Sequence, residues 1–141
     1  MSTKLVRFGV SLEEGLLVKF DKHCRANNYE NRSEAIRDLI RDRLVKDEWA
    51  DTKGEVTGVI SLVYDHHKRE LVDNLIRIQH DHGGAIIIAS QHIHLSHDNC
   101  LEVIVVRGKV KELSGLAFRL RSTKGVKHGE LVMSTTGSGI G

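Results

Sequence analysis

Residues 85–107 read AIIIASQHIHLSHDNCLEVIVVR. Two apolar runs, rich in β-branched residues, flank the short polar break Ser96-His97-Asp98-Asn99. This pattern predicts a β-hairpin with strands over residues 85–95 and 100–107. Side chains alternate along a strand, so His92 and His94 share a face. Cys100 opens the returning strand directly after the turn. The three can therefore converge at one end of the hairpin. Two imidazoles and a thiolate make a transition-metal donor set, and a fourth donor is needed to close a site. His80 and His82 lie a short way upstream and are candidates, as is His97 in the turn. Glu102 lies beside Cys100 and can orient a ligand by a hydrogen bond.

The elements around the hairpin extend the fold. Residues 56–64 read as a strand, and residues 67–81 as a helix with Leu71, Leu75 and Ile78 inward, ended by Gly83-Gly84. Residues 110–121 read as a second helix, weakened by Gly115, and residues 125–133 as a final strand. The order β-α-β-β-α-β is the ferredoxin-like split arrangement. Residues 47–54 are polar and read as a linker. The small polar tail from Ser134 onward is expected to be mobile.

The N-terminal part has a different pattern. Residues 5–11 alternate, with Val6, Phe8 and Val10 facing one way and Leu5, Arg7, Gly9 and Ser11 the other. Period two predicts a strand with one buried face. Ser11 and Glu14 have capping-box spacing, so a helix is expected to start there. Leu12, Leu16, Leu17, Phe20 and Cys24 follow at helical spacing, and Cys24 reads as a core thiol. Asn27-Asn28 marks a turn. A second helix opens at Asn31, with Glu34 three residues on and Ile36, Leu39, Ile40 and Leu44 as its stripe. A lone strand cannot satisfy its own backbone. A second copy of the chain would supply the partner, giving an antiparallel ribbon and an obligate dimer. The domains expected are therefore residues 1–49 and 56–134, with a linker over 50–55 and a tail over 135–141. The fold class is α+β.

Composition is consistent with this. The chain has 141 residues and a net charge of +2. Residues 1–46 carry ten Lys/Arg against seven Asp/Glu (10 − 7 = +3), and the remainder eleven against twelve (11 − 12 = −1). That excess alone does not indicate nucleic acid. Seven of the nine histidines fall between His66 and His97, which favours ligands over chance. There is no apolar run long enough to span a bilayer and no signal-peptide core. The expectation is a cytoplasmic protein with no membrane partner, in which Cys24 and Cys100 stay reduced.

A ribbon of this kind can lie in the major groove of DNA, its outward side chains touching base edges. Those are Arg7, Gly9 and Ser11. Arg7 suits the bidentate contact to guanine, and Gly9 leaves a gap in the readout. The start of the second helix, Asn31-Arg32-Ser33, offers N–H groups and a positive dipole end to a phosphate.

The segment Tyr29-Glu30-Asn31-Arg32-Ser33-Glu34-Ala35-Ile36-Arg37-Asp38 closely resembles the second helix of ribbon-helix-helix repressors. Among them it is most similar to NikR, the nickel-responsive regulators. The resemblance continues through Tyr64-Asp65-His66-His67-Lys68-Arg69-Glu70-Leu71, Gln79-His80, His92-Ile93-His94, His97-Asp98-Asn99-Cys100-Leu101-Glu102 and residues 121–128. It implies a ferredoxin-like (ACT-like) metal-binding domain and a homotetramer built as a dimer of dimers. It implies one Ni(II) per chain, held square-planar by His92, His94 and Cys100 of one subunit and His80 of the adjacent one. It implies that Glu34 and Asp38 help hold an auxiliary hard cation between domains, and that Lys68 and Arg69 contact the DNA backbone. The function implied is a nickel-dependent repressor of nickel-uptake genes, binding a double-stranded operator with two half-sites. Two histidines and a cysteine also suit zinc, so a sensor of zinc, copper or cobalt is an alternative, as is a storage or chaperone protein that binds no DNA. An enzyme is not expected: Glu102 is the only evident general base, and it would leave the ribbon unexplained.

Overall fold

The computed structural model describes residues 3–51 and 53–141. The chain divides between Ile40 and Arg41 into two compact units.

The C-terminal unit contains β1 (Glu55–Tyr64), α3 (Arg69–Gly83), β2 (Ile87–His94), β3 (Cys100–Lys109), α4 (Val110–Arg121) and β4 (His128–Met133). The strands form one antiparallel sheet in the order β2-β3-β1-β4. This is the split arrangement that the sequence implies, with β1 and β3 central. Their pairing is continuous, from Glu55 opposite Lys109 to Tyr64 opposite Cys100. Period-two alternation buries Val56, Ile60, Leu62 and Tyr64 of β1 on the same side as Cys100, Ile104 and Val106 of β3. Leu71 and Leu75 of α3 and Leu113, Leu116 and Leu120 of α4 complete that core. Each fully buried leucine contributes roughly 1.5–3 kcal/mol relative to exposure.

Several boundaries differ from the expected ones. The chain turns tightly after β1, where the Lys68 N–H donates to the Asp65 carbonyl and the His67 N–H to the Asp65 carboxylate. Helix α3 therefore starts at Arg69 and runs through Gly83. The β2–β3 pairing slips between Ile87 and Ala89, a bulge that leaves Ile88 exposed. Strand β4 begins at His128 instead of residue 125, because Gly125 has φ +101° in the preceding turn. A Cβ there would also lie 2.9 Å from Leu71 Cδ2. At the two ends of the tail, Ser134 accepts from Trp49 Nε1 at 2.8 Å and Gly141 accepts from Arg41 at 3.2 Å. Trp49 also explains why the expected linker is shorter. Its ring is buried in the C-terminal core, and α2 (Arg32–Asp51) stays helical to reach it.

In the N-terminal unit, α1 (Glu14–Ala26) is followed by a turn at Asn28, φ +58°, and then by the first part of α2. Cys24 and Ala35 are its buried residues. Asn31 caps α2 by accepting the Glu34 N–H at 2.9 Å. Arg32 holds α1 to α2 through two bonds to Asp21, 2.8 and 2.9 Å. The capping box expected at Ser11 and Glu14 does not form. The extended residue before α1 is Glu13, with no side-chain cap. Residues 5–11 form no ladder within this chain, and Leu5, Val6, Phe8 and Val10 remain 61–90% exposed. They border an open groove of about 830 Å³ lined also by Leu17, Phe20, Ile36 and Ile40. Val6, Phe8 and Val10 are the predicted buried face, whereas Leu5 belongs to the opposite one, and no described residue of the chain buries them.

Two truncations to alanine on α4 test this layering. Leu113→Ala removes a fully buried side chain and is expected to lower unfolding stability by about 2–5 kcal/mol. Phe118→Ala, at a side chain 60% exposed, should stay within about 0.5 kcal/mol. Guanidinium unfolding of the full chain reads both. Equal losses would mean that α4 is packed by a different face.

Candidate metal centre

The register between β2 and β3 sets this site. His92 lies opposite Glu102 and His94 opposite Cys100. All four are on the sheet face that carries the core. Strand β3 is central, so Cys100 and Glu102 are buried, 1% and 2% exposed. Strand β2 pairs only with β3 among the described strands, and the His92 side chain is 53% exposed. The imidazoles thus rim a site whose floor is a thiol and a carboxylate.

Glu102 is the buried charged residue of this floor. A carboxylate out of water must be hydrogen-bonded. Tyr64 donates to it at 3.2 Å and Gln79 at 2.9 Å. His92 Nε2 lies 3.5 Å from the same carboxylate and His92 Nδ1 3.4 Å from the Tyr64 oxygen. Burial, followed by the Glu102 charge, raises the Tyr64 hydroxyl far above its ordinary range, so it remains a donor. Burial likewise pushes the Cys100 thiol up, partly offset by a hydrogen bond from Tyr64. At neutral pH Cys100 is therefore a thiol, and an ion that binds it displaces a proton.

The other predicted donors are placed differently. His80 and His82 lie in the last turn of α3. The His80 side chain is 87% exposed, 3.3 Å from Asp81. Among the described residues, the three-donor groups whose ligand atoms lie within 4.8 Å of one another are Asp65, His66 and His67, and His67, His97 and Asp98. His92, His94 and Cys100 share a face but are not such a group. His128, read as structural, is exposed beside Glu130 at 4.0 Å.

Arg7, Gly9 and Ser11 are all exposed. Arg32 is engaged by Asp21, whose carboxyl it holds below the usual range. Asn31 is the cap of α2, and Ser33 is exposed in its first turn. Lys68 and Arg69 are exposed where α3 begins. Glu34 forms an ion pair with Arg37, and Asp38 accepts from the Tyr29 hydroxyl at 2.8 Å.

Tyr64 and Gln79 have a role that the sequence reading did not assign. Tyr64 ends β1 directly opposite Cys100, and Gln79 precedes His80 by one position on α3. Strand alternation from Leu62 could have placed Tyr64 on the metal face; nothing local points to Gln79.

Residues 57–134 match the NikR C-terminal nickel-binding domain, and residues 6–47 the ribbon-helix-helix domain of the CopG family. Proteins named as candidate nickel-responsive regulators are similar along nearly their whole length. One from Nitratidesulfovibrio vulgaris (strain DSM 19637 / Miyazaki F) is 55% identical, covering 97% of this chain and 98% of its own. One from Syntrophus aciditrophicus is 51% identical, covering 94% and 96%. One from Thermococcus onnurineus is 50% identical, covering 95% and 96%. An uncharacterized protein of Thermotoga maritima shares the fold alone, with a TM-score of 0.51 and 11% identity over 56% of this chain and 96% of its own. A ribbon-helix-helix unit followed by a nickel-binding domain, shared end to end with these relatives, makes this chain a member of the NikR family of nickel-responsive regulators.

Proposed function

We propose that the chain is a nickel-dependent repressor whose operator affinity is set by Ni(II) at His92, His94 and Cys100, with His80 contributed by an adjacent subunit. The observation that carries this is the β2–β3 register, which gives two imidazoles and a buried thiol one common face. The donors fit the ion. A borderline divalent metal accepts both imidazole and thiolate, and the buried Glu102 carboxylate beside His92 orients that ring. The exposure of His80 fits a ligand that serves another chain. The bound ion supplies a strong multi-ligand link between subunits; the residues of this chain do the rest.

The working assembly in this reading is a dimer of dimers. Two chains pair residues 5–11 into a ribbon, covering Val6, Phe8 and Val10, and present Arg7, Gly9 and Ser11 to base edges. Asn31, Arg32, Ser33, Lys68 and Arg69 bind phosphates, Arg32 exchanging or sharing its Asp21 contact. Glu34 and Asp38 hold an auxiliary hard cation that leaves the tetramer's two ribbons in one disposition. Nickel bound across subunits favours the arrangement that fits two half-sites. Linkage then requires operator DNA to tighten nickel binding by the same factor. The regulated genes in this reading are those of nickel uptake. The protein is a regulator and not a catalyst.

Four outcomes are expected. Binding to DNA upstream of its own or neighbouring transporter genes, at fixed salt, should be tight with one equivalent of nickel per chain and weak without it. Equal binding with zinc would make this a sensor of another metal, and no binding with any metal would overturn the repressor reading. Cys100→Ala should fold normally by circular dichroism but lose tight nickel uptake and nickel-dependent DNA binding; unchanged uptake removes Cys100 from the ligand set. Arg7→Ala should reduce discrimination at one base pair per half-site by about 1–3 kcal/mol, whereas equal weakening on all sequences would make Arg7 a phosphate contact. The raised Cys100 thiol sets a pH dependence: below its pKa the free form holds a proton that nickel must displace. Between pH 7 and 8.5, apparent nickel affinity should rise about tenfold per unit from this thiol. A flat profile would show that Cys100 is not the group displaced.

A further inference from the structure

The turn after β1 and the β2–β3 turn meet at the end of the sheet. The second turn is internally braced: the Leu95 and Ser96 N–H groups donate to the Asn99 carbonyl, and Asn99 Nδ2 donates to the Ser96 hydroxyl. Bracing of this kind presents His97 and Asp98 outward. The first turn is braced by Asp65, which accepts the His67 N–H at 2.9 Å. His67 Nε2 reaches the His97 carbonyl oxygen at 2.7 Å, and the two ring centroids lie 4.9 Å apart with their planes tilted by 43°. The ligand atoms of His67, His97 and Asp98 all lie within 4.8 Å of one another. None of these residues belongs to the donor set proposed above.

We propose that His67, His97 and Asp98 form a second metal site, for a borderline divalent first-row ion such as Zn(II), Ni(II) or Cu(II). Two imidazoles and one carboxylate, without a thiolate, define that class. All three residues are exposed, so the ion keeps water in its remaining positions and binds more weakly than one held by a buried thiolate. An ion held there either uses the other His67 nitrogen or displaces the contact to the His97 carbonyl. A second observation supports a ligand here. The adjoining His66 has a buried Nδ1 without a hydrogen-bond partner. Its ring lies 4.2 Å from that of His67 and 4.6 Å from that of His94. His97, His67, His66 and His94 thus form one unbroken row of imidazoles, from the exposed turns to the rim of the first site. The residue group Asp65, His66 and His67 shares His67 with the new site and gives the ion a second set of donors one step along that row.

The test is nickel and zinc titration of the full chain against a chromophoric chelator, with nickel–thiolate charge-transfer absorption recorded in parallel. Wild type should take up about two equivalents per chain, one strong and one weaker. His67→Ala/His97→Ala should lose the weaker equivalent and keep the charge-transfer band. Cys100→Ala should lose the band and keep the weaker equivalent, which separates failure of this site from failure of the first. Asp98→Asn, nearly isosteric, should weaken only the second equivalent. A titration unchanged by His67→Ala/His97→Ala, with the fold intact by circular dichroism, would overturn the proposal. So would a single equivalent in wild type.

Discussion

Strand β1 pairs with β3 without interruption over the whole length of both, and everything functional in the C-terminal unit is indexed to that pairing. Side chains change face at every residue, so a slip of one position would move Cys100 and Glu102 from the covered side of the sheet to the open one. The core resists such a slip, because Ile60, Leu62, Ile104 and Val106 would have to leave it together. The proposed metal donors therefore inherit their placement from apolar packing that contains no metal chemistry. Edge strand β2 then needs only to keep register with β3 for His92 and His94 to arrive on the same side.

Glu102 is the second consequence of that register. A carboxylate this deeply buried is tolerated only because Tyr64 and Gln79 donate to it from two different elements, β1 and α3. Its charge in turn raises the Tyr64 hydroxyl and adds to the burial that raises Cys100. The floor of the site is a coupled unit in which the identity of each group sets the protonation of its neighbour. Removing one member would leave the others buried with fewer partners.

Much of this was legible in the residues. The strand pattern of residues 56–64, the hairpin around residues 96–99 and the helical stripe of Leu71, Leu75 and Ile78 made most of the βαββαβ order readable, because each element buries one face. Elements whose burial depends on distant partners were harder to read. The helical state of residues 47–51 goes with Trp49 joining a core whose other members run from Val56 to Leu120. The start of β4 depends on the positive φ of Gly125, which no alternation pattern encodes. The His92, His94 and Cys100 set was readable because its members are near in sequence. The His67, His97 and Asp98 group was not, since thirty residues separate its histidines and only the sheet brings them together. The ribbon segment marks another boundary: its apolar alternation is plain, yet residues 5–11 pair with no described strand of the chain.

The bulge at Ile88 gives β2 a mechanical character that the central strands lack. A strand hydrogen-bonded on one side and interrupted near its start opens more readily than one paired on both. The two histidines thus ride on an edge strand of the sheet, while the thiol and carboxylate are fixed to a central one paired on both sides. Hydrogen exchange would be slow along β1 and β3 and fast along β2. In the proposed site, an ion joining β2 to β3 would spend part of its binding energy on quieting that motion, so that ligand capture and strand ordering would be one event.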